Sequence, residues 1–405
     1  MFSPLPPIFR PISSMQHRSL HQASKLHSKM ATSSFPASFV RTGTSNGLLV
    51  HRRHLPLDIK DWQPILSAAM GSPDPHGRQL NGIGSGVSST SKICVVAKSE
   101  REDVDLDYTF VQVGIHNGDL DMAGNCGNMS AIVAPWAANE GMLQHVLQSE
   151  VEREGTGKRV TVRIFNTNTS KVVHVTFDTT PDGAYDPVGH YSIDGVPGTG
   201  SRITLQFRDP GGAKTGKVLP TGNVVDTLVL PNGETIQASL VDVANPGVFV
   251  RVEDVGVPGD IKPAMLEARF DVMERLELIR REGTRMMGLD PDVQSVPKIV
   301  LVSKPTPEAV ADGTHIVCRA LSMQQPHKAV PLTLALNLGA ACRIPGTIPA
   351  LTAVNTGGKE SIVVAHASGK VEVGSVFENG RIISALLHRT ARIMMKGDVF
   401  YQTKI

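Results

Sequence analysis

The strongest constraint on this chain is that it spells an apolar helix twice, inside text that otherwise reads as short strands. Residues 131–146 and 329–341 are mostly apolar around the whole helical circumference. A helix with no polar face has nothing to give to water and belongs inside the protein. Around these stretches the chain alternates, or runs as compact apolar blocks, at Phe110–Ile115, Val160–Asn166, Val172–Phe177, Ile203–Phe207, Ile299–Val302 and Ser361–Val364. That is the pattern of strands. Both halves follow one order: a Gly/Asn/Pro turn, a strand, further strands, then the apolar helix opened by a polar loop. The turns are Gly43-Thr44-Ser45-Asn46-Gly47 and Ala244-Asn245-Pro246-Gly247; the loops are Gly124-Asn125-Cys126-Gly127-Asn128 and Leu321-Ser322-Met323-Gln324-Gln325. The order predicts two domains, each a curved sheet around a central helix, with both helix N-termini aimed into one cleft. One amphipathic helix is expected from Met265 to Glu282, with Leu266, Phe270, Met273, Leu276 and Ile279 at helical spacing.

Composition removes several classes of function. A net charge of +2 gives no argument for nucleic acid or a membrane surface, and aromatic residues at 4% are too scarce for base-stacking platforms. No apolar run approaches the ~20 residues of a membrane span. The four cysteines, Cys94, Cys126, Cys318 and Cys342, are far apart and form no CxxC pair. This argues against structural zinc and a disulfide-stapled domain, and favours a reduced intracellular compartment. The first 30 residues hold Arg10, Arg18, Lys25 and Lys29, and no acidic residue precedes Asp58. Such a segment suits a mitochondrial transit peptide, although Pro4, Pro6, Pro7 and Pro11 interrupt any helix in it. Mitochondrial and cytoplasmic locations both stay open.

Candidate chemistry gathers in two loops. Cys126 sits between glycine and asparagine residues just before the first apolar helix. A helix N-terminus offers free N–H groups and partial positive charge, which lower a thiol pKa and hold a carboxylate. The second loop runs from Gly71-Ser72-Pro73-Asp74-Pro75 through Gly82-Ile83-Gly84-Ser85-Gly86 to Ser88-Ser89-Thr90-Ser91-Lys92. Its glycines and hydroxyls suit carboxylate binding. Lys92 ends the run at the mouth of the strand Ile93–Val96; in a desolvated cleft such a lysine becomes a usable base.

Other motifs fail on inspection. Gly211-Gly212-Ala213-Lys214-Thr215-Gly216-Lys217 has phosphate-loop spacing, but Val218 replaces the magnesium-binding hydroxyl and Pro220 spoils the helix. Gly82, Gly84 and Gly86 lead into a serine-rich strand rather than a helix, so they are no dinucleotide fingerprint. His315, His327 and His366 are separated, with no carboxylate at ligand spacing. No metal or other cofactor is expected.

Taken together, these segments resemble the 2-methylaconitate cis-trans isomerase family, of the diaminopimelate-epimerase-like fold. The resemblance spans residues 36 to 400. It is carried by Arg41-Thr42-Gly43-Thr44-Ser45, Gly71-Ser72-Pro73-Asp74-Pro75, Ser88-Ser89-Thr90-Ser91-Lys92, the Cys126 loop, Pro220-Thr221-Gly222-Asn223, Arg319-Ala320-Leu321-Ser322-Met323, Ile344-Pro345-Gly346-Thr347 and Arg389-Thr390-Ala391-Arg392. It implies an α/β (α+β) fold of two pseudo-symmetric β-rich domains and cofactor-independent proton transfer on an unsaturated polycarboxylate. Lys92 and Cys126 match its active-site positions, with Lys92 as base. Thr44, Ser45, Asn46, Ser89, Thr90, Asn125, Gly127, Asn128, Ser322, Met323, His366 and Ser368 are the implied substrate contacts. Asn46 stands where the family usually carries Lys or Arg, and Ser322-Met323 where an amino-acid epimerase has its second cysteine. The expected boundaries are an extension over 1–32, domains over 33–215 and 216–393, and a C-terminal strand over 394–405. The expected partner is a small-molecule acid, not nucleic acid or membrane; a homodimer is left open. A tautomerase of an oxalo or keto acid and a non-catalytic carboxylate binder are the alternative functions.

Overall fold

A computed structural model describes residues 30–147, 152–153 and 157–404. The transit-like segment before Met30 lies outside the described residues. The first half contributes strands β1 (Met30–Thr42), β2 (Ser45–His51), β3 (Lys92–Lys98), β4 (Leu106–Val113), β5 (Gly157–Asn166), β6 (Lys171–Asp178) and β7 (Ile203–Arg208), with helix α1 (Gly127–Asn139). The second contributes β8 (Thr235–Val243), β9 (Asn245–Arg251), β10 (Lys298–Ser303), β11 (Ile316–Ser322), β12 (Ser361–His366), β13 (Gly369–Glu378) and β14 (Arg381–Arg389). Its helices are α2 (Phe270–Met286) and α3 (Leu332–Ala341), and β15 (Ala391–Lys404) closes the chain.

The strand pairings of the two halves run in the same order. In the first, β1–β2 is antiparallel, β2–β3 parallel, β3–β4 antiparallel, β4–β5 parallel, then β5–β6 and β6–β7 antiparallel. In the second, β8–β9 is antiparallel, β9–β10 parallel, β10–β11 antiparallel, β11–β12 parallel, then β12–β13 and β13–β14 antiparallel. Pairing of β7 with β14 joins both runs into one sheet, and β15 pairs antiparallel with β1 along its length. The two opening hairpins are tight. Gly43 takes φ +54° between Thr42 and Ser45, and Ala244 takes φ +60° between Val243 and Asn245.

Each apolar helix lies inside its half. Residues 127–138 of α1 are all buried, as are all residues of α3. Strands β1–β7 all touch α1, while α3 touches β8, β9, β12, β13 and β14, and the two helices touch each other. Fully burying a side chain such as Ile132 or Leu338 stabilises the fold by about 1.5–3 kcal/mol. This core continues across both halves, and two smaller cores lie on the outer faces. On the second half, α2 covers the outer face with Val272, Leu276 and Ile279.

Three expectations need correction. The apolar stretch 131–146 is not one helix: α1 ends at Asn139, Gly141 takes φ +68°, and a separate short helix spans Gln144–Leu147. The helix expected from Met265 to Glu282 is interrupted: a short helix ends at Glu267, Arg269 takes ψ +77°, and α2 runs from Phe270 to Met286. Phe270 is exposed, so one of the apolar residues that suggested one continuous face does not lie in the core. The loop Leu321–Gln325 does not open α3. Ser322 pairs with Gln325 across a turn in which Met323 and Gln324 take positive φ, and α3 starts later, with Pro331 as its N-cap.

Candidate active site

The N-termini of the two central helices meet. A Cβ built on Gly127, the first residue of α1, comes 2.6 Å from Leu332 Cδ2, on the first residue of α3. No side chain caps either helix, so their opening N–H groups are left for a ligand. A narrow cavity of about 30 Å³ lies in front of them, and its lining includes Ser45, Lys92, Cys126, Lys298, Ser322 and His327. Two lysines and no carboxylate line it. With two helix N-termini added, the field in this space favours an anion.

Lys92 is buried at the start of β3. Its Nζ donates to Gln112 Oε1 at 2.6 Å and lies 5.2 Å from the centre of the Phe110 ring. Gln112 is the direct cross-strand partner of Lys92. Its amide nitrogen donates to the carbonyls of Ser91 (2.8 Å) and Ser88 (3.1 Å), which fixes the amide oxygen toward the lysine. One N–H of Lys92 is thereby held, and the rest of the amine faces the cavity.

Lys298 opens β10 as Lys92 opens β3, each beside a glycine of a parallel neighbour: a Cβ on Gly47 meets the Lys92 carbonyl at 2.5 Å, and Gly247 is in register with Lys298. Its Nζ donates to the Ser295 carbonyl. Burial, and then the neighbouring charge of Lys92, push the Lys298 amine down to about 8. Burial likewise pushes His327 down to about 4, so its ring is neutral at pH 7; Nδ1 accepts the Ala329 N–H at 3.0 Å.

Cys126 is the N-cap of α1 and is partly accessible, whereas Cys94, Cys318 and Cys342 are buried, with their thiols pushed up by burial. The loop before Cys126 is held from the second half. Asn245 Oδ1 accepts the Asn125 N–H at 3.2 Å, and Asn245 Nδ2 donates to the Asn125 carbonyl at 2.9 Å. The Asn125 N–H is therefore occupied, and the helix N–H groups after it are the ones left for substrate.

The other sequence candidates separate. Ser45, Asn125, Asn128 and Ser322 line the cavity with Lys92 and Cys126. Gly127 supplies the close helix contact. Ser88 lines the cavity in place of Ser89 and Thr90, and the Thr90 hydroxyl donates to Val87 O at 2.9 Å. Asn46 pairs with Arg41 across the hairpin and is not among the lining residues. Met323 lines a groove against α2 on the outer face. Thr44 and His366 line a neighbouring cavity, and the Ser368 N–H donates to His366 Nδ1 at 3.3 Å. Sequence reasoning missed Gln112, Ser295, Lys298, His327 and Thr333. Lys298 carried a signal, since it opens an apolar strand just as Lys92 does.

The phosphate-loop lookalike is filled by the protein itself. The N–H groups of Lys214 and Thr215 and the Thr215 hydroxyl converge on Asp242 Oδ2 at 2.8, 2.8 and 2.9 Å. Among the described residues no group of three or more His, Cys, Asp or Glu is arranged to hold a metal ion, and no helix is long and apolar enough to cross a membrane.

Comparison with known proteins agrees with this architecture. The family described as PrpF protein matches residues 32–402. The 3-methylitaconate isomerase of Eubacterium barkeri is 35% identical, over 91% of this chain and 97% of that protein. The (4E)-oxalomesaconate Delta-isomerase of a Novosphingobium species is 36% identical, over 91% of this chain and 97% of its own length. A crystal structure of methylitaconate-delta-isomerase superposes with a TM-score of 0.70 at 34% identity, covering 91% of this chain and 96% of that one. A hydroxyproline epimerase from Agrobacterium vitis, 12% identical, superposes at 0.51 over 91% of this chain and 92% of its own, which shows the shared epimerase-like fold.

Proposed function

The chain belongs to the PrpF protein family and is an isomerase of unsaturated carboxylates, and from that premise we propose that Lys92 is the base of an allylic proton transfer. The observation that carries this reading is the Lys92 amine, held by Gln112 at 2.6 Å and facing a cavity with no carboxylate in its lining. Lys92 takes a proton from the carbon allylic to a substrate carboxylate. The C–H electrons enter the conjugated system and the negative charge spreads onto the carboxylate oxygens. The N–H groups opening α1 and α3 and the Lys298 cation stabilise that dienolate. A proton returned to the far carbon shifts the double bond; rotation before its return changes the geometry. The Cys126 thiol, at the mouth of α1, is the proposed donor of that proton.

The substrate class is an aconitate-, methylaconitate- or itaconate-like acid. The second reading, tautomerisation of an oxalo acid, needs no change of machinery: Lys92 removes the same kind of proton, and the charge lands on a keto oxygen. Its support is a further relative, the 4-oxalomesaconate tautomerase of Pseudomonas putida, 34% identical over 91% of this chain and 97% of that protein.

The test is proton NMR in deuterated buffer with cis-aconitate, trans-aconitate, 2-methylaconitate, methylitaconate and oxalomesaconate. Wild type should isomerise, or deuterate at the allylic carbon, at least one acid. Lys92→Ala should lose that activity by about 10²–10⁴-fold. A keto product, seen in the ultraviolet, identifies the tautomerase. Equal deuteration by wild type and Lys92→Ala rejects Lys92 as the base.

A further inference from the structure

A second cavity, of about 240 Å³, adjoins the first, and it has a buried cation with no acidic partner. Arg389 ends β14 and is 7% exposed. Its Nε donates to Asn128 Oδ1 at 3.1 Å and its Nη1 to the His388 carbonyl at 2.8 Å. Among the described residues no carboxylate lies within ion-pair distance of it, and no hydrogen bond takes its Nη2. Burial pushes the guanidinium down to about 10, the cost of a desolvated charge left without a counter-ion. A buried guanidinium in that condition calls for an anion.

The two cavities share a wall. Asn128 lines the first, gives its amide oxygen to Arg389, and donates from its amide nitrogen to the Thr44 and Ser45 hydroxyls at 3.1 and 3.2 Å. Thr44 lines the second cavity and Ser45 the first; Val330 and Pro331 divide in the same way. Tyr191, His366 and Lys370 also face the second cavity. Two acids face it as well. The Asp194 carboxylate accepts the Lys370 N–H at 2.6 Å, and Glu372 accepts the Ser361 hydroxyl. Burial, then the charge of Arg389, hold His366 at about 4, so its ring is neutral at pH 7.

We propose that Arg389 anchors a second carboxylate of the substrate, the one remote from the carbon that Lys92 deprotonates. This rests on the reading of Lys92 as the base. The small first cavity takes the reacting end of the acid, the larger second one takes its far arm, and the Asn128 amide holds both pockets in register. The enzyme then selects acids whose second carboxylate reaches past Asn128.

The experiment is calorimetric binding of tricarballylate, a saturated tricarboxylate that cannot be isomerised, to the wild-type protein, Arg389→Gln and Arg389→Lys. Propionate and inorganic phosphate are the other two probes. Tricarballylate should bind wild type, weaken about 10- to 100-fold in Arg389→Gln, and fall between the two in Arg389→Lys, which keeps the charge but loses the forked donor. Propionate binding should change little. The proposal is overturned if wild type does not bind tricarballylate, if Arg389→Gln binds it as wild type does, if propionate weakens equally, or if only phosphate depends on Arg389. Where Arg389→Gln does not fold, Arg389→Lys decides: wild-type affinity for tricarballylate rejects the anchor. Turnover by wild type without Arg389-dependent binding removes the anchor and leaves Lys92 standing. Arg389-dependent binding without turnover of any acid does the reverse.

Discussion

Lys92 and Lys298 occupy the same place in two copies of one strand pattern, yet their surroundings differ. Lys92 gives a hydrogen bond to a side-chain amide, itself tied at both hydrogens to backbone carbonyls. Lys298 gives its hydrogen bond to a backbone carbonyl, that of Ser295, whose own N–H and hydroxyl are held by Asp121 at 3.1 and 2.6 Å. The helices diverge in the same sense, since the N-cap position of α1 holds Cys126 and that of α3 holds Pro331, which has no reactive group. Duplication supplies a strand-opening lysine and a helix N-terminus to each half. On the proposed mechanism, those two elements are not enough. It also needs the amine oriented by Gln112 and a thiol at the helix N-terminus, a pair that only the first half carries.

The comparison breaks most sharply at Lys298. If its role is charge rather than proton transfer, Lys298→Met should lower kcat/KM by roughly 10²–10³-fold while leaving slow deuterium exchange at the allylic carbon. With its amine near 8, Lys298 is cationic below that pH and neutral above it. Wild-type KM should therefore be flat below pH 8 and rise above it, and the rise should vanish in Lys298→Met. A steady-state pH profile of both proteins checks this. If Lys298→Met abolishes exchange as fully as Lys92→Ala does, the two lysines are functionally alike and the contrast fails.

A smaller effect is expected at the caps. Cys126→Ala should lower kcat by about 10- to 100-fold with little change in KM, because a lost proton donor affects the return step. Cys126→Ser, which keeps a hydrogen-bonding group, should recover part of the rate. Equal losses in kcat and in affinity would make the cysteine a binding group. Smaller again is the effect of Gly127→Ala on stability. The new methyl meets Leu332 at 2.6 Å, which should cost about 1–3 kcal/mol, read as a lower urea midpoint with unchanged slope. A stability effect of similar size is expected at His327, whose folded value near 4 lies below its ordinary 6.5. The unfolded chain takes up that proton first, so stability is full above pH 6.5 and declines as pH falls toward 4. A thermal melt at pH 7 and at pH 5 tests the sign, and His327→Phe should flatten the decline.

What could be read from the sequence divides along local and non-local lines. The central helices were legible because α1 and α3 are apolar on every side, and the strands around them because alternation is a local signal. Cys126 was legible from its flanking glycines and Lys92 from the hydroxyl-rich run it ends. Gln112 was not, because its role comes from register: β4 sets it opposite Lys92, 20 residues away. Arg389 is harder still, since its partner Asn128 lies 261 positions earlier. The misplacement of the α3 opening at Leu321–Gln325 had a different origin. A Ser/Gln-rich loop suggests a helix start, but positive φ at Met323 and Gln324 turns the chain back on itself, and Pro331, with its fixed φ, leads into the helix instead.

The pairing of β1 with β15 places the first described strand in a position that only the last one can complete. Arg41 holds the carbonyl and hydroxyl of Thr390, 349 positions later, at 2.6 and 2.8 Å. During synthesis, the edge of β1 that β15 will cover therefore waits for nearly the whole chain to emerge, at about 5–20 residues per second. For tens of seconds the nascent first half carries an open strand edge, which is the hazard that invites pairing with another chain. The yield of folded protein should accordingly depend on how fast the C-terminal strand arrives.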